Sequence, residues 1–167
     1  MSTTTTIPLR ELLIEELKDI FNAENQLLVA LPKMAKAAQN EQLEAAFLKH
    51  LSQTKAQVVR LRKVFAKLKT PVKGKLCHAM KGLLEEGAEA IKDNEASPMR
   101  DAQLIGAAQR VEHYEIAAYG TVRTFARDLG EDEVCALLQT TLDEEGQTDK
   151  DLTKIASVVN RQALAKV

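Results

Sequence analysis

The chain has 167 residues, 45% hydrophobic and only 4% aromatic, with a formal net charge of −1 at pH 7. That length suits one domain with a sizeable core. Few aromatics, 7 glycines and 4 prolines weigh against a sheet-rich fold and leave few turns, hence long helices.

After a loose Thr-rich start, Pro8 is placed as the first residue of a helix. Leu13, Leu17, Ile20, Leu28, Leu31 and Ala35 recur at helical spacing to about Gln39, with Pro32 as a kink. Asn40 marks a break. A second helix follows from about Glu41 to Lys69, its stripe made of Leu43, Phe47, Leu51, Val58, Leu61, Phe65 and Leu68, and Thr70-Pro71 ends it. A shorter helix is predicted over Leu76–Ile91. Ser97-Pro98 reads as N-cap and first position of a third long helix, which Gly130 stops. A fourth long helix runs from about Glu131 to Asn160. The result is a single domain over residues 1–167, with a disordered N-terminus at 1–7 and a tail at 161–167.

Two links between long helices are very short and imply antiparallel hairpins. The link between the second and third is long enough to travel the length of a bundle. An all-α four-helix bundle with one long crossover, here carrying a short extra helix, is the ferritin-like arrangement. A plain up-and-down bundle and a spectrin-like repeat are the alternatives.

No apolar run reaches the about 18 residues of a membrane span, and MSTTTTIP lacks the basic start and apolar stretch of a secretory signal. A cytoplasmic protein with no membrane partner is expected. Cys77 and Cys135 form no paired motif and read as free thiols. Charge is unevenly spread: Ala45–Leu84 holds ten Lys/Arg and no acid, whereas Glu131–Asp151 holds eight acids and one base. These read as complementary solvated faces, within the bundle or across a dimer. Nucleic acid is not expected as a partner, because the basic stretch has no interleaved aromatics and no known motif.

The stripes contain acids where they should be apolar. On a wheel of about 100° per residue, Glu24 is central on the first helix. Glu115 is central on the third, flanked by Glu112 and Tyr119, and Glu145 is central on the fourth, with Asp149 one turn on. Helix two has Thr54 at its centre, His50 one turn before and Gln57 nearby, but no carboxylate after Glu44. His113 points outward. The acids fall near the midpoints of their helices, so antiparallel packing brings them to one height, with His50 about 7 Å from that level. No Lys or Arg lies near a stripe centre. Buried carboxylates without such a partner protonate, find hydrogen bonds or bind a cation. The expected metal ligands are Glu24, His50, Glu112, Glu115, Glu145 and Asp149, for iron or manganese, with a metal-free polar centre as the alternative. His78 reads as structural, and Met34, Met80 and Met99 as packing residues.

The runs AENQLLVALPKMA, AFLKHLSQTKAQVVRLRKVF, MKGLLEEGAEAI, RDAQLIGAAQRVEHYEIAAYGT and LDEEGQTDKDLT resemble the YciF-like family of bacterial ferritin-like, rubrerythrin-related stress proteins. The resemblance covers about Leu9 to Ala156. It implies a ferritin-like fold, a homodimer and a stress-associated role, and by analogy rubrerythrin-type di-iron chemistry. Glu24, His50, Thr54, Glu112, Glu115, Glu145 and Asp149 match residues of the family blocks. Helix two departs: relatives tend toward HLEET, whereas this chain has HLSQTK. Thr148 stands at the i+3 place after Glu145, where di-iron bundles place histidine. The expectation is therefore a depleted metal site with weak or no catalysis. A di-iron or di-manganese oxidase or peroxide scavenger is the first alternative, and a DNA-protecting small ferritin-like protein the second.

Overall fold

A computed structural model describes residues 7–165. Its helices are α1 (Leu9–Ala37), α2 (Glu41–Lys67), α3 (His78–Asp93), α4 (Pro98–Asp128) and α5 (Asp132–Leu164). The expected loose start lies mostly outside the described residues. The expected tail is shorter, because α5 continues to Leu164. Arg161, Gln162, Ala163 and Leu164 are all good helix formers, and nothing there interrupts the ladder.

Local chemistry sets the boundaries. Asn40 accepts from the N–H groups of Gln42 (3.0 Å) and Leu43 (3.1 Å) and starts α2. Ser97 accepts from Arg100 N at 3.2 Å and starts α4, which satisfies donors a helix start otherwise leaves open. Pro8 falls one residue earlier than expected, just outside α1, and its carbonyl accepts from Glu11 and Leu12. Gly130, at φ 72°, closes α4 in the left-handed conformation that glycine tolerates best.

The four long helices form the ferritin-like bundle. α1 packs on α2 and α4, and α5 packs on the same two, so α1 and α5 are diagonal. The crossover from Leu68 to Ser97 carries α3 along the outside of α1 and α4. Its start is pinned by Cys77 and Tyr114. The Cys77 Sγ lies 3.0 Å from the Tyr114 hydroxyl, which donates to Asp19 at 2.6 Å. Burial pushes the Cys77 thiol up, away from the reactive thiolate form.

The core is in two parts. One apolar cluster contains Leu27, Leu31, Leu43, Phe47, Met80, Leu104, Val111 and Leu152. The other contains Leu13, Leu17, Ile20, Leu61, Phe65, Tyr119, Val122 and Leu138. Most expected stripe residues are there, but Leu27 rather than Leu28 is fully buried, and Val64 joins where Leu51 is only half-buried. Met34 and Met80 pack as expected. Met99 does not: in the first turn of α4 it is 53% exposed. His78, at the first position of α3, is exposed too.

One buried acid outside the centre has a structural task. Asp101 in α4 accepts from Gln39 N (2.9 Å) and Asn40 N (2.7 Å), fixing the α1–α2 turn to the start of α4. Hydrogen bonds to a charged group contribute about 1.5–3 kcal/mol. Asp101→Ala is expected to lower stability in urea denaturation by about 2–3 kcal/mol, and Asp101→Asn, which keeps one acceptor, by less.

Candidate metal centre

Between the two apolar clusters lies a layer of polar side chains. Glu24 comes from α1, His50, Thr54 and Gln57 from α2, Glu112 and Glu115 from α4, and Glu145 from α5; all are buried. The amphipathic period puts each one on the inward stripe. Antiparallel pairing then brings the helix middles to one level.

His50, Glu112, Glu115 and Glu145 each offer one ligand atom, and these atoms lie within 4.8 Å of one another. His50 Nε2 is 3.3 Å from Glu112 Oε1 and 4.0 Å from Glu115 Oε2, while its Nδ1 is 3.9 Å from Glu145 Oε2. His50, near the layer by sequence, is thus inside it. Both of its ring nitrogens, both Glu115 oxygens, Glu112 Oε2 and Glu145 Oε2 are buried without a hydrogen-bond partner. Buried polar atoms in folded proteins are nearly always paired, so this convergence of open lone pairs calls for a further group.

The other two expected ligands are placed differently. Glu24 is in the layer, but its Oε1 accepts from the Tyr119 hydroxyl and only Oε2 is open. Asp149 is outside the cluster, at the edge of α5. It accepts from Gln109 Nε2 at 3.0 Å and lies 3.4 Å from His113 Nε2. His113 is exposed, as expected. One turn along α5 from Glu145 moves a side chain toward the rim, which the wheel alone did not resolve.

A network on the α2–α5 side was not anticipated. Gln57 Nε2 donates to Glu145 Oε1 and, at 3.0 Å, to Glu144 Oε2. Arg60 grips Glu144 through two bonds of 2.9 and 3.0 Å and donates to Thr141 Oγ1 at 2.7 Å. Arg60 flanks the stripe and reaches inward along its apolar stem, as long cationic side chains do. The only sequence signal was the pairing of Gln57-x-x-Arg60 with the double acid Glu144-Glu145. A cavity of about 30 Å³ lies against His50 and Glu112, walled by Leu27, Leu31, Phe47 and Val111. That is room for a water-sized molecule.

Burial dominates the electrostatics. It pushes Glu24, Glu112 and Glu115 well above the usual carboxylate range, and the neighbouring acids push them further. Burial raises Glu145 to about 7, against the hydrogen bond from Gln57 and the charge of Arg60. His50 is pushed down to about 4 by the same loss of water. Between about pH 4 and pH 7 the metal-free centre is therefore held by protons, with neutral carboxyls around a neutral imidazole.

This sets a pH dependence for the metal-free protein. Each raised carboxyl keeps its proton in the folded chain where the unfolded chain has lost it. Its contribution is whole below about pH 4.3 and is lost as pH rises toward the folded value. For Glu145, moved from 4.5 to about 7, that is on the order of 3 kcal/mol. His50 acts oppositely: its contribution is lost as pH falls below about 6.5 toward 4, and it is constant above. With chelator present, the denaturation midpoint is expected to be lower at pH 9 than at pH 6.5. A midpoint that rises over that range would contradict a proton-held centre.

Comparison with known proteins agrees with this architecture. The family model for a domain of unknown function, DUF892, matches residues 8–165. Protein YciF of Escherichia coli K12 is 45% identical over 157 residues, covering 93% of this chain and 95% of that protein. The crystal structure of the E. coli stress protein YciF superposes with a TM-score of 0.91 at 42% identity, covering 94% of this chain and 99% of that one. YcfI, a putative structural protein from Rhodopseudomonas palustris, gives 0.86 at 37% identity, with 92% and 98% covered. A ferritin-like, diiron-carboxylate protein from Bacillus anthracis gives 0.70 at 15% identity, with 90% and 99% covered, a likeness of fold alone. The chain belongs to the DUF892 family and is a YciF-like protein on the ferritin-like fold.

Proposed function

We propose that this is a ferritin-like stress-response protein whose bundle centre holds one transition-metal ion, ligated by His50, Glu112, Glu115 and Glu145. One observation carries the reading: four buried side chains from three helices point ligand atoms into a space under 5 Å across, most of them with no other partner. Carboxylate oxygens with a single imidazole suit iron or manganese. The stress role rests on the relative described as a stress protein, and the same reading takes the protein to be a cytoplasmic homodimer.

The donor set fits one ion better than two. Carboxylate bundles that hold a metal pair draw a Glu-x-x-His from each of two helices. At that spacing α2 has Thr54 and Gln57, and α5 has Glu145 and Thr148. The Thr54 hydroxyl donates to the His50 carbonyl and the Thr148 hydroxyl to the Glu144 carbonyl, each at 3.0 Å. Both are spent on their own helices. Asp149 and Glu24, engaged elsewhere, drop from the ligand set.

Bound iron or manganese would supply one-electron redox chemistry at a buried site beside a water-sized cavity. The chain's own contribution is to keep four donors aimed at one point between two rigid apolar clusters, with His50 and Glu112 facing the small cavity. Weak or absent turnover follows from the depleted ligand set. A di-iron or di-manganese oxidase would need ligands that α2 lacks. A DNA-protecting role is not favoured either, because Lys49, Arg60 and Lys67 of the basic α2 face pair with Asp151, Glu144 and Glu133 of α5.

Elemental analysis of protein purified without chelator, then after anaerobic Fe(II) or Mn(II) addition, tests the reading. One ion per chain is expected, with thermal stabilisation of about 2.7 kcal/mol at a hundredfold excess over Kd. Glu115→Gln should lose both the ion and that stabilisation. In metal-free form it should be at least as stable as the parent above pH 7, since a neutral amide replaces a carboxyl that has to stay protonated. Absence of bound metal in the parent under both conditions would overturn the proposal.

A further inference from the structure

The centre has two sides, and Glu145 belongs to both. Its Oε2 faces His50 Nδ1 on the side of the four-ligand cluster. Its Oε1 accepts from Gln57 on the other side, where Gln57 also meets Glu144 and Glu144 is forked by Arg60. Arg60 lies close enough for its charge to act on both Glu24 and Glu145. Glu24 Oε2 and Gln57 Oε1 are buried and unpartnered. This second side thus has carboxylates on α1 and α5, as a metal-holding half-site would, but its positive charge is carried by a side chain.

We propose that the Arg60 guanidinium takes the place of a second cation in this centre, and that Arg60 with Gln57 limits the protein to one metal ion. The proposal rests on the reading of His50, Glu112, Glu115 and Glu145 as a metal site. A guanidinium is permanently charged, and its planar fork matches one carboxylate in a bidentate pair. Here it neutralises Glu144, and through Gln57 that pair is tied to the oxygen of Glu145 that a second ion would need. A second divalent ion placed there meets a fixed like charge and finds Glu144 already occupied.

Arg60→Leu removes the charge and frees Glu144 to act with Glu24 and Glu145. Metal content per folded chain, measured by elemental analysis after anaerobic Fe(II) or Mn(II) loading and desalting, is expected to rise from one to two. Arg60→Lys, which keeps the charge, should stay at one. Arg60→Leu combined with Glu144→Gln should return to one, because the freed carboxylate is lost. If Arg60→Leu does not fold, Arg60→Gln removes the charge while keeping a donor for Glu144 and should likewise gain an ion. Equal content in the parent and both neutral variants would overturn the proposal, as would two ions in the parent. A parent with none and a neutral variant with one would overturn both, because the parent then lacks the ion that Arg60 is proposed to limit it to. None in any would overturn both.

Discussion

Loss of water from a cluster of carboxyl groups is the constraint around which this bundle is organised. Glu24, Glu112, Glu115 and Glu145 are each no more than 1% exposed. Ionised and unpaired, each would cost several kcal/mol or more to keep there. The layer survives because the two apolar clusters on either side of it supply the burial that holds the helices together. The helices must be long for that reason: each has to cross one apolar half, the polar layer and the other apolar half.

That cost gives the centre its chemistry. With protons the carboxyls are neutral and the layer is tolerable. A divalent ion at the proposed site would let them ionise and turn their repulsion into attraction to a common partner, so that binding would release protons and add stability. Tyr119, fully buried, is held by Glu24 and has its own proton retained by burial and the surrounding acids. Gln57 plays a different part. As a neutral amide it donates to Glu144 and Glu145 at once, joining the half-buried Arg60–Glu144 pair to the buried layer.

The charges outside the layer divide the helices into complementary faces. Beyond Glu44 α2 carries no acid, and it lies along the acid-rich start and middle of α5, pairing Lys67 with Glu133, Arg60 with Glu144 and Lys49 with Asp151. The exposed pairs contribute little individually. Their regular succession matches the antiparallel register of the two helices and disfavours a slipped alternative.

Periodicity alone determined much of this protein. Leu13 to Leu31, Leu43 to Phe65 and the caps at Asn40 and Ser97 defined the helices, and two short links with one long one defined the ferritin-like topology. The wheel also placed Glu24, Glu112, Glu115 and Glu145 on inward stripes, because rotation about a helix axis is fixed by local geometry. Tertiary structure decided what depends on distances between helices. It moved His50 into the buried carboxyl cluster and Asp149 out of it, tied Glu24 to Tyr119 and brought Arg60 in from the flank through Gln57. It also made the basic face of α2 meet the acidic face of α5 within one chain. Axial stagger and the reach of long side chains are set by how neighbouring stripes interlock, and a single helix carries no record of its partner's position.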